Sequence, residues 1–220
     1  AVEKPWPSPF TLDAASRAAS PAVDCTTGYC VFLPIVQKHA PWIDTSSKAI
    51  SLNAYRQQYL VGAIDPQWTG SHNACNPGDV STELTSAILR RINYFRGMAG
   101  VPAEISFNAE YSRKAQAAAL MISVNQQLSH DPPPDWICWS QDGWEGSANS
   151  NMSLGGFGVD AIKGQMRDAG SGNDGVGHRR WILYPQTKEM GTGNVPAGNG
   201  NTYGAALWVF DANLEGTWPP

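Results

Sequence analysis

The sequence predicts an α+β fold in which helices come first and strands follow. Two long segments carry apolar residues at the 3.6-residue helical period, one beginning near Ser81 and the other near Asn108. Two short segments near the end, "EMGTGNV" (189–195) and "YGAALWVFD" (203–211), have the composition of strands joined by a Gly/Asn turn. This order is typical of a layered α+β domain, because strands and helices alternate in a wound α/β sheet.

The first half of the chain predicts two helices and the loop between them. A helix is predicted after the polar run 44–47, which can cap it. Its apolar side would be formed by Ile50, Ala54 and Leu60. Residues 65–79 predict a loop because Gly, Pro and Asn are frequent there. The next helix begins near Asp79 or Ser81 and ends near Gly97. Its apolar side would be formed by Leu84, Ile88, Ile92 and Phe95.

The helix that begins near Asn108 ends at 128–134, because the three prolines there cannot continue it. Its buried stripe contains small alanines, which favour close packing, and consists of Tyr111, Ala115, Ala118 and Ile122. Residues 136–158 predict a long irregular segment, and such segments are often functional. A third helix over 159–168 would have an apolar face formed by Val159, Ile162 and Met166.

The N-terminal part of the chain differs in composition from the rest. Residues 1–40 are rich in Pro, Ala and Ser and contain one short apolar run at 29–36. Pro34 interrupts this run, which predicts an edge strand or an extended arm. The arm would pack on its own domain or on a neighbouring molecule. We therefore predict an N-terminal extension over residues 1–71, with one helix, and a second domain over residues 72–220.

The charge pattern disfavours several classes of partner. The net charge is −4 and charged residues make up 15% of the chain, without acidic or basic blocks. We therefore expect no nucleic-acid partner and no polybasic contact with a membrane surface. No apolar run reaches about 18 residues, so no transmembrane helix is predicted.

The cysteines of the chain bear on whether the protein lies in an oxidising or a reducing compartment. There are four of them: Cys25, Cys30, Cys75 and Cys138. Four cysteines allow three pairings. We favour Cys25–Cys30, which would close a tight loop, together with Cys75–Cys138; the alternative is four reduced thiols. Because disulfides persist in oxidising compartments, the favoured pairing predicts a secreted protein.

Four polar residues at the ends of predicted elements are candidates for a functional site: His130, Glu145, Asp168 and His178. Two imidazoles and two carboxylates can form a first-row metal site or a general acid/base set. The spacing alone instead favours separate, hydrogen-bonded structural histidines, because no HExxH pattern is present. Glycines before His178 would allow a tight turn, and the apolar run 181–183 would anchor His178 from the core.

Other side chains near these residues have a structural and a functional interpretation. Trp136, Trp139 and Trp144 would pack an irregular loop or form an apolar or carbohydrate-binding rim. Arg179 and Arg180 follow His178 directly. We expect one to pair with a carboxylate such as Asp168 or Asp174 and the other to face solvent; the alternative is contact with an anionic ligand. No serine lies in a GxSxG pattern, so a catalytic triad is not expected.

Three segments carry a family resemblance: "SAILRRINYFRGMAGVP" (86–102), "FNAEYSRKAQAAALMISVNQQLSHDP" (107–132) and "GVGHRRWILYPQTKEMGTG" (175–193). Their order resembles the CAP superfamily of cysteine-rich secretory proteins, insect venom antigens and plant pathogenesis-related proteins. The chain is more similar to its secreted bacterial branch. The similarity covers roughly residues 72–213. It implies an α-β-α sandwich with a central cleft, here with an N-terminal extension.

The resemblance also implies a metal site. In many CAP proteins two His and two Glu line the cleft and can bind a divalent cation, often zinc. The matching positions in this chain are His130, His178 and Glu145. Asp168 falls where the second Glu is expected, and its side chain is shorter by about one methylene. The resemblance therefore implies an altered zinc site formed by these four residues.

From these observations we rank three functions. We expect a secreted binding or interaction module for a small ligand, a lipid or a surface protein. A structural subunit that self-associates through the N-terminal arm ranks second. A hydrolase, with metal-activated water on His130 and His178 and Glu145 as general base, ranks third, so we lean against an enzyme. An accessible groove on the order of a few hundred Å³ would favour the binding module.

Overall fold

The computed structural model describes residues 43–170 and 175–212. Two predictions fall outside these ranges, namely the Cys25–Cys30 disulfide and the arm at 29–36. Asp174, which was a suggested partner for one of the two arginines, also lies outside them.

The described residues form six α-helices and four β-strands, which confirms the α+β class. The helices are α1 (Lys48–Ala54), α2 (Thr82–Met98), α3 (Ala109–Asn125), α4 (Gln141–Ala148), α5 (Gly158–Arg167) and α6 (Gly177–Ile182). A short π-helical turn, Tyr55–Tyr59, continues α1. The strands are β1 (Ser106–Phe107), β2 (Ser150–Leu154), β3 (Glu189–Val195) and β4 (Gly204–Trp208).

The strands form one mixed sheet in the order β1-β3-β4-β2. The predicted hairpin is confirmed, because β3 pairs antiparallel with β4, with Thr192 opposite Leu207. β2 pairs antiparallel with the other edge of β4, with Met152 opposite Ala206. β1 has only two residues and pairs parallel with β3, so it was too short to be predicted from a sequence pattern.

Strand β4 is buried on both faces, and its successive residues join two different clusters of the core. Ala206 and Trp208 pack with the predicted stripe of α3, including Ala115, Ala118 and Ile122. Leu207 and Val209 join the larger cluster. That cluster also contains Leu84, Ile88 and Ile92 from α2, Ile162 from α5 and Ile182 from α6. The apolar faces predicted for α2 and α3 are therefore the faces that the structure buries.

Helix α3 lies directly on the backbone of the sheet, as its alanines predicted. A Cβ atom added to Gly193 of β3 would collide with the backbone of Ala115. We expect the substitution Gly193→Ala to lower the free energy of unfolding by about 3 kcal/mol or more, because neither backbone can move aside cheaply. Gly164, in α5, has open space around its Cα. Gly164→Ala is the control and should raise the free energy of unfolding by about 0.5–1 kcal/mol. Urea unfolding of both variants tests this, and equal midpoints would contradict the close packing.

The prediction that residues 136–158 are irregular is wrong, because this segment contains helix α4 and strand β2. Two glycines within eight residues give α4 a low intrinsic helix propensity. Tertiary contact outweighs that propensity, since a Cβ on Gly146 would collide with the carbonyl of Lys114 in α3. The Ser140 side chain caps the helix by accepting a hydrogen bond from the N–H of Gly143. That cap was the one local signal in the sequence.

Helix α1 forms where it was predicted and is capped by Ser47. Its predicted apolar side is only partly correct. Ala54 is buried and packs with Ile43 and with Tyr94 of α2. Ile50 and Leu60 are exposed. Leu60 follows the π-helical turn with an extended backbone, so it does not continue the buried side of α1.

The Cys75–Cys138 disulfide is confirmed, with the two Cα atoms 5.0 Å apart. It joins the loop before α2 to the segment after α3, across 63 residues of sequence. None of the described helices is long and apolar enough to cross a membrane.

Candidate functional site

His178 and Asp168 form a hydrogen-bonded pair at the junction of α5 and α6. The His178 Nδ1 atom lies 2.7 Å from Asp168 Oδ1. Only 1% of the Asp168 side chain is exposed, whereas 41% of the His178 side chain is exposed. The other carboxylate oxygen of Asp168 accepts a hydrogen bond from the backbone N–H of Arg179 at 3.2 Å. The buried carboxylate therefore fixes both the ring of His178 and the first turn of α6.

The end of α5 receives a reciprocal contact from α6. The Arg179 guanidinium donates to the carbonyl oxygens of Met166 at 2.6 Å and Arg167 at 2.8 Å, which are acceptors at the C-terminus of α5. Arg179 therefore contacts Asp168 through its backbone N–H, and its charged group binds carbonyl oxygens where a carboxylate was expected. Arg180 is exposed, as one of the two arginines was predicted to be.

The turn into α6 differs from the prediction in one detail. The described residue with a left-handed conformation before His178 is Val176, at φ 41°, and not a glycine. The predicted anchor after His178 is present, since Ile182 is fully buried and Trp181 and Leu183 pack against the same core cluster. His178 is thus held from both sides, by Asp168 and by the core.

His130 is exposed and is fixed by a backbone contact. Its Nδ1 atom lies 2.8 Å from the carbonyl oxygen of Ser147, at the end of α4. Because a carbonyl oxygen only accepts, His130 must donate from Nδ1. The same holds for His178, whose Nδ1 faces a carboxylate. In both imidazoles the Nε2 atom is therefore the one left for a ligand.

Glu145 belongs to a surface network on α3 and α4. Its carboxylate lies 2.6 Å from the Lys114 Nζ atom and accepts a hydrogen bond from Gln141 at 3.0 Å. These contacts, with Lys114 the larger, hold the pKa of Glu145 below its ordinary value. Lys114 also contacts Glu110, at 3.3 Å. Glu145 is therefore already paired with a cation, which it shares with Glu110.

The two histidines are anchored to one short segment, residues 147–151, which runs from the end of α4 to the start of β2. His130 binds the carbonyl of Ser147, and the side-chain amide of Asn151 donates to the carbonyl of His178 at 3.0 Å. Within residues 43–170 and 175–212, no three His, Cys, Asp or Glu side chains are grouped as metal ligands. The four predicted residues thus divide into an Asp168–His178 pair, a His130 bound to backbone, and a Glu145 bound to Lys114.

A cavity among the described residues lies elsewhere, beside the Cys75–Cys138 disulfide. It has a volume of about 980 Å³ and is lined by residues 75–80, by residues of 134–142 and by one face of α3, with Thr192 also contributing. We call it the disulfide groove. None of the four predicted site residues lines it, but Trp136 and Trp139 do.

Sequence reasoning identified the tryptophans of the groove but missed most of its polar residues, including Asp79, Arg113 and Gln116. Gln116 offered a signal, because it is a polar residue within the alanine-rich stretch of α3. It is buried and bonds the carbonyls of Pro77 and Asn194 at 3.0 and 3.1 Å, so it ties the groove loop to the sheet. The other polar residues carried no pattern that distinguished them from a solvated helix face.

The model of the CAP family, described as the cysteine-rich secretory protein family, matches residues 89–211. This match spans more than half of the 220-residue chain. The chain belongs to the CAP family. No curated protein and no solved structure gives a significant match to it.

The CAP match includes all four predicted site residues, but it does not include the whole disulfide groove. The matched residues begin at 89, whereas one wall of the groove is formed by residues 75–80. The groove is therefore built partly from the CAP-matched residues and partly from a preceding loop that the disulfide holds in place.

Proposed function

We propose that this CAP-family protein is a secreted binding module that holds its ligand in the disulfide groove. The observation that carries the proposal is the groove itself, whose volume of about 980 Å³ is enough for a ligand of moderate size. The Cys75–Cys138 disulfide supports the secreted location, since such bonds persist in oxidising compartments. The bound partner would be a small ligand, a lipid or an exposed group on a surface protein.

The test of this proposal is a variant that fills the groove. Ala109 is exposed and lines the groove at the start of α3, so Ala109→Trp should narrow it without disturbing the core. Ala99 is also exposed, lies outside the groove, and supplies the matched control Ala99→Trp. We expect calorimetry with soluble oligosaccharides, fatty acids and phospholipid vesicles to reveal binding that only Ala109→Trp weakens. Binding that survives Ala109→Trp, or no binding by any probe, would overturn the proposal.

We also propose that residues 72–220 form an α-β-α sandwich of CAP type and that residues 1–71 form an extension that precedes it. We propose further that the chain belongs to the secreted bacterial branch of the family. The two core clusters on opposite faces of β4 support the sandwich. Limited proteolysis should leave a stable fragment that begins near residue 72. A stable core that begins before α1 would contradict this boundary.

A divalent cation such as zinc is the second proposal, with His130 and His178 as its direct ligands. Metal-binding histidines usually donate their second ring N–H to an oxygen acceptor, and both residues do so here. Asp168 and Glu145 do not fit as further direct ligands, because each already has a close partner. A bound zinc would supply Lewis acidity there. The pKa of Glu145 lies below its ordinary value, which makes this residue a weaker general base and ranks a hydrolase below a binding module.

We expect the wild type to bind one zinc ion in calorimetry at neutral pH, and the double variant His130→Ala/His178→Ala to bind none. Glu145→Gln distinguishes a two-histidine site from a four-residue site that includes Glu145. Because Glu145 is engaged by Lys114, this change should alter zinc affinity by less than about tenfold. Undiminished binding in the double variant would contradict the two-histidine site. A loss of binding in Glu145→Gln would instead favour the four-residue site.

The structural-subunit alternative depends on the arm at 29–36, which lies outside the described residues. Its test is the oligomeric state. Light scattering should show a mass for the full chain that falls when residues 29–36 are replaced by a Gly/Ser sequence. An unchanged mass would remove this alternative.

A further inference from the structure

We infer that the disulfide groove binds a neutral oligosaccharide, with Trp136 as the surface on which a sugar ring stacks. The inference rests on the proposed binding function of the groove and specifies the class of ligand. Among the described residues, four properties of the groove support it: the unpaired indole N–H of Trp136, the pairing of its one cationic side chain, the unpaired carboxylate of Asp79, and the covalent link between its walls.

Trp136 differs from the two tryptophans near it. The indole N–H of Trp139 donates to the carbonyl of Pro132 at 3.2 Å, and that of Trp144 donates to Asp131 at 2.8 Å. Among the residues that the structure describes, the indole N–H of Trp136 has no partner. Trp139 and Trp144 are therefore used to hold the loop, whereas Trp136 offers both a ring face and a free donor at the groove. This combination suits a sugar, whose C–H face is apolar and whose edge carries hydroxyl groups.

The charges of the groove disfavour an anionic ligand. Arg113 is the one Lys or Arg among the lining residues, all of which the structure describes. It is already paired with Glu110, at 2.7 Å, and with Asp142. A phosphate or a fatty-acid carboxylate would have to compete with both carboxylates for this guanidinium. Hydroxyl groups of a neutral sugar would not, because they can donate to carboxylates such as Asp79.

Asp79 supplies an acceptor that the fold itself does not use. Its backbone groups bond with Thr69, but within the described part of the chain its carboxylate accepts no hydrogen bond. Asp79 lines the groove from the 75–80 loop, and Trp136 lines it from the 134–142 segment. A continuous apolar lining, which an acyl chain would require, is absent because Ser112, Gln116 and Thr192 interrupt it. The lining as a whole matches a polyhydroxylated ligand with one apolar face.

The disulfide limits how far Asp79 and Trp136 can move apart. Cys75 belongs to the loop that carries Asp79, and Cys138 follows Trp136 by two residues. Both cysteines themselves line the groove. Joining the walls covalently removes motion that a ligand would otherwise have to suppress, and such preorganisation strengthens binding.

The experiment is calorimetry of the full chain with hexasaccharides of glucose, N-acetylglucosamine, xylose and mannose, alongside palmitate and phosphatidylglycerol vesicles. We expect one or more hexasaccharides to bind the wild type. Trp136→Ala and Asp79→Asn should each weaken that binding about tenfold or more, and Trp136→Phe, which keeps an aromatic face, should weaken it less. Ile137→Ala is the control, because Ile137 is exposed beside Trp136 but does not line the groove.

The outcomes separate this inference from the proposed function. If palmitate or the vesicles bind in a way that Ala109→Trp blocks, while no hexasaccharide binds, the groove is a binding site but the sugar inference is wrong. If a hexasaccharide binds and neither Trp136→Ala nor Asp79→Asn weakens it, the inference is also wrong. If no probe depends on Ala109, the proposed function itself fails. Thermal melts establish whether each variant is folded. If Trp136→Ala does not fold, the effect of Trp136→Phe on hexasaccharide binding still tests the role of Trp136.

Discussion

Replacing Arg96 by methionine is expected to lower the free energy of unfolding by about 3–5 kcal/mol. Arg96 lies in the last turn of α2 and is fully buried. Its guanidinium donates to the carbonyl oxygens of Pro102 at 2.6 Å, Ile182 at 2.7 Å, Tyr184 at 3.0 Å and Thr187 at 3.3 Å. Methionine fills a similar volume, but it removes the guanidinium donor from all four carbonyls, of which that of Tyr184 keeps the N–H of Thr187 as a second donor.

The physical reason is the cost of leaving buried acceptors unpaired. Burial lowers the pKa of Arg96 to about 10, so the group remains charged at neutral pH and its hydrogen bonds are charge-assisted. Each buried carbonyl that loses its donor costs about 1–3 kcal/mol when water cannot replace it. Three of the four carbonyls belong to residues 182–187, which begin at the last residue of α6 and continue into the turn after it. Arg96 therefore also fixes the helix that carries His178.

The control is Arg90→Met, because Arg90 lies on the same helix and is exposed. This change should alter the free energy of unfolding by less than about 0.5 kcal/mol. Arg96→Lys keeps the charge but has fewer donors in a less fixed geometry, so its effect should fall between the two. The measurement is urea unfolding at pH 7. If Arg96→Met unfolds at the same urea concentration as Arg90→Met, water replaces the guanidinium and the predicted cost of unpaired carbonyls is wrong.

The sequence was most informative where local pattern and tertiary environment agree. Helix α3 has a cap at Asn108 and a stripe of small residues at helical spacing, and the structure buries that stripe on the sheet. The hairpin of β3 and β4 has strand composition on both sides of a turn. In these elements each residue preference points to the same structure, so reading the pattern was sufficient.

Prediction failed where distant residues decide the local structure. α4 is a helix because its glycines allow close contact with α3, and the sequence of α4 alone does not encode that contact. The same limit applies to the candidate sites. His178 and Asp168 were both identified, but their pairing depends on how α5 meets α6. The disulfide groove combines residues from several separate segments, so it becomes visible only when the fold brings them together.

Removing the Cys75–Cys138 disulfide is expected to lower the free energy of unfolding by about 4 kcal/mol. The bond closes a sequence separation of 63 residues. In the chain-entropy account, a loop of that length loses about 4 kcal/mol of unfolded-state entropy when it is cross-linked. The double variant Cys75→Ala/Cys138→Ala is preferable to a reducing agent, because it leaves Cys25 and Cys30 unchanged. Urea unfolding of the variant beside the wild type measures the loss, and an unchanged midpoint would contradict it.

The same variant also tests how stability and function are linked in this protein. The disulfide joins the loop of Asp79 to the segment of Trp136, so its removal should free the two walls of the groove to move apart. We expect the folded variant to bind the wild type's hexasaccharide at least tenfold more weakly, measured well below its unfolding midpoint. Binding at the wild-type level would contradict the role of the disulfide in preorganising the groove. Weakened binding would show that the groove depends on a cross-link to a loop outside the CAP-matched residues.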